Sequence, residues 1–312
     1  MKPRLIATVA PTTTPERKSP LTPTIASFAR HLRAGHLSEN TVESYLTAAE
    51  QLAEFLRWNR LPQEPSKIKR EHVEGYIQDV LNKHRPTTAA IRYRSLLAFF
   101  RWLLEEEMID SSPMAHMRMP EVDDAPPPIL SEKEVRSLLK ACEGKDFEAR
   151  RDYAMVRIFL ATGARRTEVA GIRLDEVDLD VRVIKVMGKG RRPRVAPLSH
   201  KAVQALDRYL RVRAELPRAS EPWLWLGHKG RLTSNGVFQA LRRRAVRAGL
   251  DFHPHQLRHT FAHFSKLDGH SDETIMRVGG WKNSAMLRHY GSSAATERAL
   301  QDFHDRSPDD RF

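Results

Sequence analysis

The chain has 312 residues, of which 40% are hydrophobic and 29% are charged, and its formal net charge is +13. This length is sufficient for two domains with separate cores, and the composition is typical of a soluble globular protein. No apolar run reaches the roughly 18 residues of a membrane span, and Leu5–Ala10 is too short for a signal-peptide core. The excess of Lys and Arg favours a polyanionic partner, although ribosomal and membrane-surface proteins can be equally basic.

Cys142 is the only cysteine, which excludes an internal disulfide and a metal site built from cysteines. Its apolar neighbours predict the role of a small buried hydrophobic residue. We therefore expect the chain to act in a reducing compartment that contains DNA, which indicates a cytoplasmic location.

The first 20 residues are rich in Thr, Pro, Arg and Lys and predict a flexible basic arm. Helical spacing of apolar residues then predicts an all-helical domain over residues 21–118. We expect its first helix at Pro23–Leu32 and its second after a capping box of Asn40 with Glu43. The third is expected near Arg70–Leu81, and the fourth begins at Pro86.

A proline-rich stretch at 119–130 predicts the interdomain linker. A capping box of Ser131 with Glu134 opens the second domain, predicted to span 131–293 before a tail at 294–312. Two β-prone runs, Val183–Met187 and Arg194–Ala196, flank Gly188-Lys189-Gly190 and predict a hairpin. The other helices are expected at Ser199–Glu215, Thr233–Ala248, His255–Leu267 and Asp272–Val278. The fold class is mainly α with a small β-hairpin or sheet: a helical domain followed by a mixed α/β domain.

Basic residues concentrate in two acid-free stretches of the second domain. Such charges often only form a solvated face, but here they flank candidate phosphate-binding residues and favour contact with nucleic acid. The candidates for DNA contact are Arg191, Arg192, Arg194, Arg242, Arg243 and Arg244.

A nucleophile and several cations occur in an order that suits chemistry on a phosphodiester. The candidates are Arg165, Lys189, His255, Arg258, Trp281 and Tyr290. Each alone has an ordinary structural interpretation, such as a surface arginine, a solvated turn lysine or a core tryptophan. Arginine binds two phosphate oxygens with its planar fork, and a phenol can both attack phosphate and leave again. Because HExxH, EF-hand and glycine-rich nucleotide motifs are absent from the sequence, we expect chemistry without a metal or other cofactor.

The second half of the chain resembles the tyrosine recombinases, also called phage-type integrases. Thr162-Gly163-Ala164-Arg165-Arg166-Thr167-Glu168 is similar to the first arginine motif of that family, and Gly188-Lys189-Gly190 to its hairpin lysine. His255-Gln256-Leu257-Arg258-His259 resembles the H-x-L-R-H box, and Gly280-Trp281 with Tyr290 resembles the final box. The helical first half is similar to the core-binding domain of the family, so that the resemblance covers roughly Leu21 to Tyr290.

The resemblance implies a two-domain DNA clamp in which Tyr290 forms a 3′-phosphotyrosyl link. Arg165 and Arg258 would hold the non-bridging oxygens, with Glu168 supporting Arg165. By the same resemblance, Lys189 would be the general acid, His255 would assist the tyrosine proton, and Trp281 would donate to the phosphate or pack the site. The chain departs from the family pattern at two places: Trp281 stands where the family commonly has His, and Ala285–His289 replaces the usual threonines before Tyr290.

The partners that the resemblance implies are double-stranded DNA with inverted-repeat half-sites and a tetramer of the chain on two sites. Off DNA the chain would be a monomer or weak oligomer, and an accessory recombinase or DNA-bending protein could participate. The apolar stripe Ala295, Ala299, Leu300 and Phe303 could pack on its own subunit or dock into a neighbour. The short segment before Leu21 indicates the compact type found in resolvases and in transposon or integron enzymes.

Two other functions remain open at this stage. A type IB topoisomerase uses the same chemistry but relaxes supercoils as a monomer. A catalytically inactive DNA-binding regulator could keep the basic stretches, but it has no reason to keep all six site residues.

Overall fold

The structure is a computed structural model that describes residues 19–122, 127–188, 192–284 and 287. The chain divides into two compact units, an N-terminal unit (Met1–Asp124) and a C-terminal unit (Ala125–Phe312). This division falls within the stretch at which we expect the linker, while the predicted limits of the arm, domains and tail stay predictions. No helix among the described residues combines the length and the apolar character that a bilayer crossing requires.

The described part of the N-terminal unit contains four α-helices, as the apolar spacing predicted. They are α1 (Leu21–Ala34), α2 (Glu39–Trp58), α3 (Arg70–Lys83) and α4 (Pro86–Glu105). Pro86 occupies the first turn of α4, where a missing N–H has no cost, so this predicted start is confirmed. The core contains Phe28, whose ring lies 5.2 Å from that of Phe99 and 5.1 Å from that of Trp102. Each such buried side chain contributes roughly 1.5–3 kcal/mol to folding.

The predicted capping box of Asn40 with Glu43 is wrong. The N-cap of α2 is Ser38, whose hydroxyl accepts a hydrogen bond from the backbone N–H of Thr41 at 3.3 Å. Asn40 therefore lies within the first helical turn, where its own backbone is already helical. The reason is that serine caps a helix as well as asparagine does, and the earlier of the two candidates starts the helix.

The C-terminal unit combines seven described helices with two small antiparallel sheets. Its helices are α5 (Glu132–Ala141), α6 (Phe147–Thr162), α7 (Arg166–Ala170), α8 (His200–Ala214), α9 (Ser234–Arg247), α10 (Pro254–Leu267) and α11 (Asp272–Gly279). Its strands are β1 (Val177–Asp178), β2 (Val183–Met187), β3 (Pro193–Pro197), β4 (Leu226–Gly227) and β5 (Gly230–Arg231). The first sheet has the order β1-β2-β3, and the second contains β4 and β5. The predicted fold class is confirmed.

Helix α6 is the centre of the C-terminal unit, since α7, α8, α9 and α10 all pack against it. Its buried residues Met155, Ile158 and Phe159 belong to the main core, which also contains Cys142, as predicted. Burial raises the pKa of the Cys142 thiol to about 12, so the thiol stays neutral. Helix α6 ends at Gly163, which adopts φ 55° in the left-handed region that favours glycine.

The predicted hairpin is confirmed as β2 and β3, which pair with Lys185 opposite Val195. Ile184, Val186 and Ala196 are buried on the inner face of this sheet. Helix α11 packs against β3. The alternation of buried and exposed residues is that of a sheet with one side on the core. The turn itself, at 189–191, lies outside the described residues.

Candidate active site

Arg165 lies at the junction of α6 and α7. Gly163 ends α6 in a conformation that suits glycine, and a Cβ at Gly163 would overlap the ring of Phe261. Arg165 is the N-cap of α7, and its backbone N–H donates to the carboxylate of Glu168 at 2.9 Å. Its guanidinium donates to the same carboxylate at 2.8 Å. One glutamate therefore holds both the backbone and the side chain of Arg165.

Glu168 also binds a second arginine. Arg194, on β3, donates to Glu168 at 2.9 Å and to the backbone carbonyl of Val278 at 2.8 Å. Burial acts to raise the pKa of Glu168, but the hydrogen bond from Arg194 and the backbone N–H of Arg165 outweigh it and hold the pKa below its ordinary value. Glu168 is thus an ionised carboxylate inside the protein that orients two guanidinium groups.

Arg258 approaches the same place from α10. Its side chain is 4% exposed, and its Nη1 donates to the carbonyls of Gly163 and Gly279, the latter at 2.5 Å. The guanidinium carbon lies 3.6 Å from the ring centroid of Trp281, in cation–π contact. These contacts fix Arg258 between the end of α6 and the end of α11.

The turn at Gly279 and Gly280 brings the two catalytic candidates together. The carbonyl of Gly280 accepts from both terminal nitrogens of Arg165, each at 3.4 Å, while the carbonyl of Gly279 accepts from Arg258. Gly280 has φ 69°, and a Cβ at Gly279 would overlap the Trp281 ring. Arg165 and Arg258, 93 residues apart in the sequence, therefore meet at one backbone turn.

His255 is one helical turn before Arg258 on α10, and its side chain is exposed on one side. Partial burial lowers its pKa, and the positive charges of Arg258, Arg166 and Arg165 lower it further. His259 lies on the next turn, with its ring centroid 6.2 Å from that of His255. Burial, then the neighbouring His255 and Arg258, lower the pKa of His259 to about 4. Both imidazoles are thus neutral at pH 7.

Trp281 packs between Phe261 and Arg258. Its ring stacks on Phe261 with the centroids 6.2 Å apart and the planes 7° from parallel, and it faces Arg258. Two roles were expected for Trp281, phosphate donor or packing residue. Its contacts with Phe261 and Arg258 support the packing role.

Lys189, Arg191 and Tyr290 lie outside the described residues, but Gly188, beside Lys189, and Leu287, three residues before Tyr290, are described. A Cβ at Gly188 would lie 3.9 Å from the carboxylate of Glu168, so strand β2 ends at the site. Leu287 is buried with Ala262 of α10 and Ile275 of α11.

The remaining DNA-contact candidates separate into two groups. Arg192, Arg242 and Arg243 are exposed. Arg244 is 7% exposed and donates to Asp152 at 2.8 Å, and Arg194 is held by Glu168, so the placement of these two does not favour direct DNA contact.

The sequence did not single out Arg194 as a partner of Glu168, nor the Gly279 and Gly280 carbonyls as acceptors. No local pattern carries this information, because β3 and α11 meet α7 only through the tertiary fold. Among the residues that the structure describes, no group of three or more His, Cys, Asp or Glu side chains could hold a metal ion.

Comparison with known proteins covers both units. The phage integrase family model matches residues 128–297, and the model of its N-terminal SAM-like domain matches residues 25–110. Tyrosine recombinase XerC of Roseiflexus castenholzii is 33% identical over 247 residues, which are 76% of this chain and 78% of the relative. Tyrosine recombinase XerD of Halalkalibacterium halodurans is 30% identical over 232 residues, or 72% of this chain and 78% of the relative.

Solved structures share the fold at lower identity. XerH recombinase bound to a palindromic difH substrate, in a post-cleavage complex, matches with a TM-score of 0.73 and 16% identity, covering 90% of this chain and 84% of that one. A lambda integrase tetramer bound to a Holliday junction matches with a TM-score of 0.67 and 16% identity, covering 88% and 84%.

Proposed function

Because the chain belongs to the phage integrase family of tyrosine recombinases, we propose that Tyr290 cuts and rejoins DNA strands through a 3′-phosphotyrosyl intermediate. The chain is a site-specific tyrosine recombinase that acts on DNA. A cytoplasmic site of action accords with that substrate.

In the proposed cleavage step the phenolic oxygen of Tyr290 bonds to phosphorus and the 5′-oxygen of the next nucleotide leaves. His255 accepts the phenolic proton, and Lys189 gives a proton to the leaving oxygen. Rejoining is the reverse: a 5′-hydroxyl attacks the phosphotyrosyl bond and the phenol leaves. The bond energy is kept in the intermediate, so no nucleotide cofactor is required.

The observation that carries this proposal is the meeting of Arg165 and Arg258 at the Gly279–Gly280 turn. Two guanidinium groups held by backbone carbonyls and a buried carboxylate are oriented before substrate arrives. Charge that develops on the non-bridging oxygens in the transition state is then stabilised without reorganisation of the site. Arg165, with its side chain 38% exposed, is the more accessible of the pair.

The protonation state of His255 supports its role as proton acceptor. The lowered pKa leaves the imidazole neutral at pH 7, which is the form that accepts a proton. Two of the three arginines that lower the pKa, Arg258 and Arg165, are those that would hold the phosphate. Binding of the anionic phosphate would offset their charge and raise the pKa of His255, so that it becomes a better base as substrate binds.

We further propose that four copies act on two DNA sites, each with inverted-repeat half-sites. The lambda integrase structure, a tetramer on a Holliday junction, supports such an assembly for a protein of this fold. The apolar stripe of the tail, Ala295 to Phe303, is the segment that we expect to dock into a neighbouring copy. An accessory recombinase or DNA-bending protein would join this assembly. The tail lies outside the described residues.

The test is cleavage of a nicked duplex that contains the half-sites located by footprinting, since such a substrate traps the covalent adduct. Tyr290→Phe should form no adduct and should bind the duplex almost as tightly as the parent protein. The matched control is Tyr45→Phe, a half-buried tyrosine of α2 that stacks near Phe28 and should leave cleavage unchanged. A covalent adduct formed by Tyr290→Phe would show that another residue is the nucleophile.

Relaxation of supercoiled plasmids and the adduct assay together separate the two other functions. A topoisomerase would relax supercoiled plasmids that contain no half-sites. A DNA-binding regulator would bind the nicked duplex without any adduct.

A further inference from the structure

We propose that Arg166 and Arg242, which both contact the ring of Phe238, bind a second DNA phosphate beside the one held by Arg165 and Arg258. The inference rests on the proposed function, because it takes DNA as the substrate of the same site. It adds a positioning contact for the strand next to the cleaved bond.

Arg166 and Arg242 lie near the same aromatic ring. Arg166 is the first residue of α7 and follows Arg165 directly. Its guanidinium carbon lies 5.6 Å from the ring centroid of Phe238, on α9. Arg242, one turn further along α9, lies 5.9 Å from the same centroid. Because α7 packs against α9, Phe238 holds one guanidinium from each helix at a single ring.

The charges of Arg166 and Arg242 are not paired within the described part of the chain. No carboxylate of the described ranges lies within ion-pair distance of Arg166 or Arg242. By contrast, Arg165 and Arg194 share Glu168, and Arg244 pairs with Asp152. Two like charges at one aromatic ring repel, and an anion bound between them would remove that repulsion. Arg166 and Arg242 are therefore arranged for an anion that the described part of the chain does not supply.

Arg166 follows Arg165 directly, so the pair begins beside an arginine of the candidate active site. The charge of Arg166 contributes to the lowered pKa of His255, and it contributes more than the charge of Arg165 does. The guanidinium of Arg166 is thus within electrostatic reach of His255. Along one strand the phosphates recur about every 3.4 Å of helix axis, so a neighbouring phosphate is the nearest available anion. The planar fork of arginine suits its non-bridging oxygens.

The first experiment measures the salt dependence of binding to a fluorescent 20-base-pair duplex between 50 and 200 mM NaCl. Arg166→Gln/Arg242→Gln should lower the slope of log K against log[NaCl] by about 0.9, the value for one lost phosphate contact. The control is Arg136→Gln on α5, whose exposed arginine pairs with Glu132 and should leave the slope unchanged. An unchanged slope in the double variant would overturn the proposal, and a decrease of about 1.8 would mean two separate phosphates.

Two further variants test the role of the ring and guard against loss of folding. Phe238→Leu keeps an apolar side chain but removes the ring, and should weaken binding in the parent protein but not in the double variant. Arg166→Lys keeps the charge and loses the fork, so it should keep the slope while weakening binding severalfold. Additive effects of Phe238→Leu and the double substitution would contradict a shared site.

The second experiment locates the phosphate. Single methylphosphonate substitutions, which neutralise one phosphate each, are placed around the cleaved bond in the half-site duplex. One position next to that bond should weaken binding by the parent protein and have no effect on the double variant. The proposal fails if the only substitution that weakens binding by the parent protein, but not by the double variant, lies away from the cleaved bond. The pair would then contact a distant part of the strand. Adduct formation at Tyr290 is measured separately, so its failure is distinct from failure of this inference.

Discussion

Two clusters in the C-terminal unit each place one carboxylate between two arginines. In the site cluster, Glu168 lies between Arg165 and Arg194. In the buried cluster, Asp152 lies between Arg151 and Arg244, at 2.8 Å from each. The side chains of the buried cluster are 2–8% exposed, whereas Arg165 in the site cluster is 38% exposed. The same group of one carboxylate and two arginines is thus buried in the buried cluster and partly exposed to solvent in the site cluster.

The difference teaches what each cluster is suited to do. In the buried cluster each arginine also donates to a backbone carbonyl: Arg151 to that of Leu226 at 3.1 Å, and Arg244 to that of Ala141 at 3.3 Å. These bonds join α5, α6, α9 and β4, so the cluster cross-links the core. In the site cluster, Arg165 is oriented by Glu168 while its side chain stays accessible to an external anion.

The largest effect should come from the buried cluster. Asp152→Asn would leave Arg244 without its carboxylate partner and Arg151 with only Glu148, 3.9 Å away. Because these guanidinium groups are buried, we expect the free energy of unfolding to fall by about 3–5 kcal/mol. Chemical denaturation measures this, with Asp207→Asn as control. Asp207 is exposed and pairs with Arg211, so its loss should cost less than about 1 kcal/mol. Similar values for both variants would remove the structural role assigned to the buried cluster.

In the site cluster we expect a smaller effect than that of Asp152→Asn, and we expect it on activity. Glu168→Gln would leave Arg165 and Arg194 less firmly oriented, at a cost of about 1–3 kcal/mol, which is measured as slower adduct formation on the nicked duplex. The loss of unfolding free energy should be smaller than for Asp152→Asn, because water reaches Arg165. Normal cleavage together with a large loss of stability would make Glu168 a purely structural residue.

The smallest expected effect is a shift in pH dependence. Arg165, Arg166 and Arg258 all lower the pKa of His255, as does its partial burial, and the neighbouring His259 is neutral. Arg166→Gln removes one of these charges, so the pKa of His255 should rise towards its ordinary value. If neutral His255 accepts the phenolic proton, the acid limb of the cleavage rate should move to higher pH, by less than about one unit.

The pH profile of adduct formation at saturating DNA provides the measurement. Arg136→Gln, far along the chain on α5, serves as the control with an unchanged limb. A limb that moves to lower pH, or does not move, would mean that another group controls cleavage on the acid side.

Much of the local structure could be read from the sequence because the signals are short-range. Ser131 accepts from the N–H of Glu134, whose carboxylate accepts from the N–H of Ser131 at 2.8 Å, so the second predicted capping box is confirmed. The first failed because two possible caps, Ser38 and Asn40, lie within one turn and only one can begin the helix. Hydrophobic spacing predicted helices and the β2–β3 hairpin to within a few residues for the same reason: side chains three, four or two apart share a face.

The sequence by itself determined which residues could act on a phosphate, since the motifs around Arg165, His255 and Arg258 specify residue types and their order. Only the tertiary structure decided which arginines are available for contact with DNA and which are held by carboxylates of the protein. Arg194 and Arg244 were equal candidates with Arg242 for DNA contact, yet Glu168 and Asp152 hold the first two inside. The physical reason is that burial and ion pairing depend on what packs against a side chain, and the partners here lie 26 and 92 residues away.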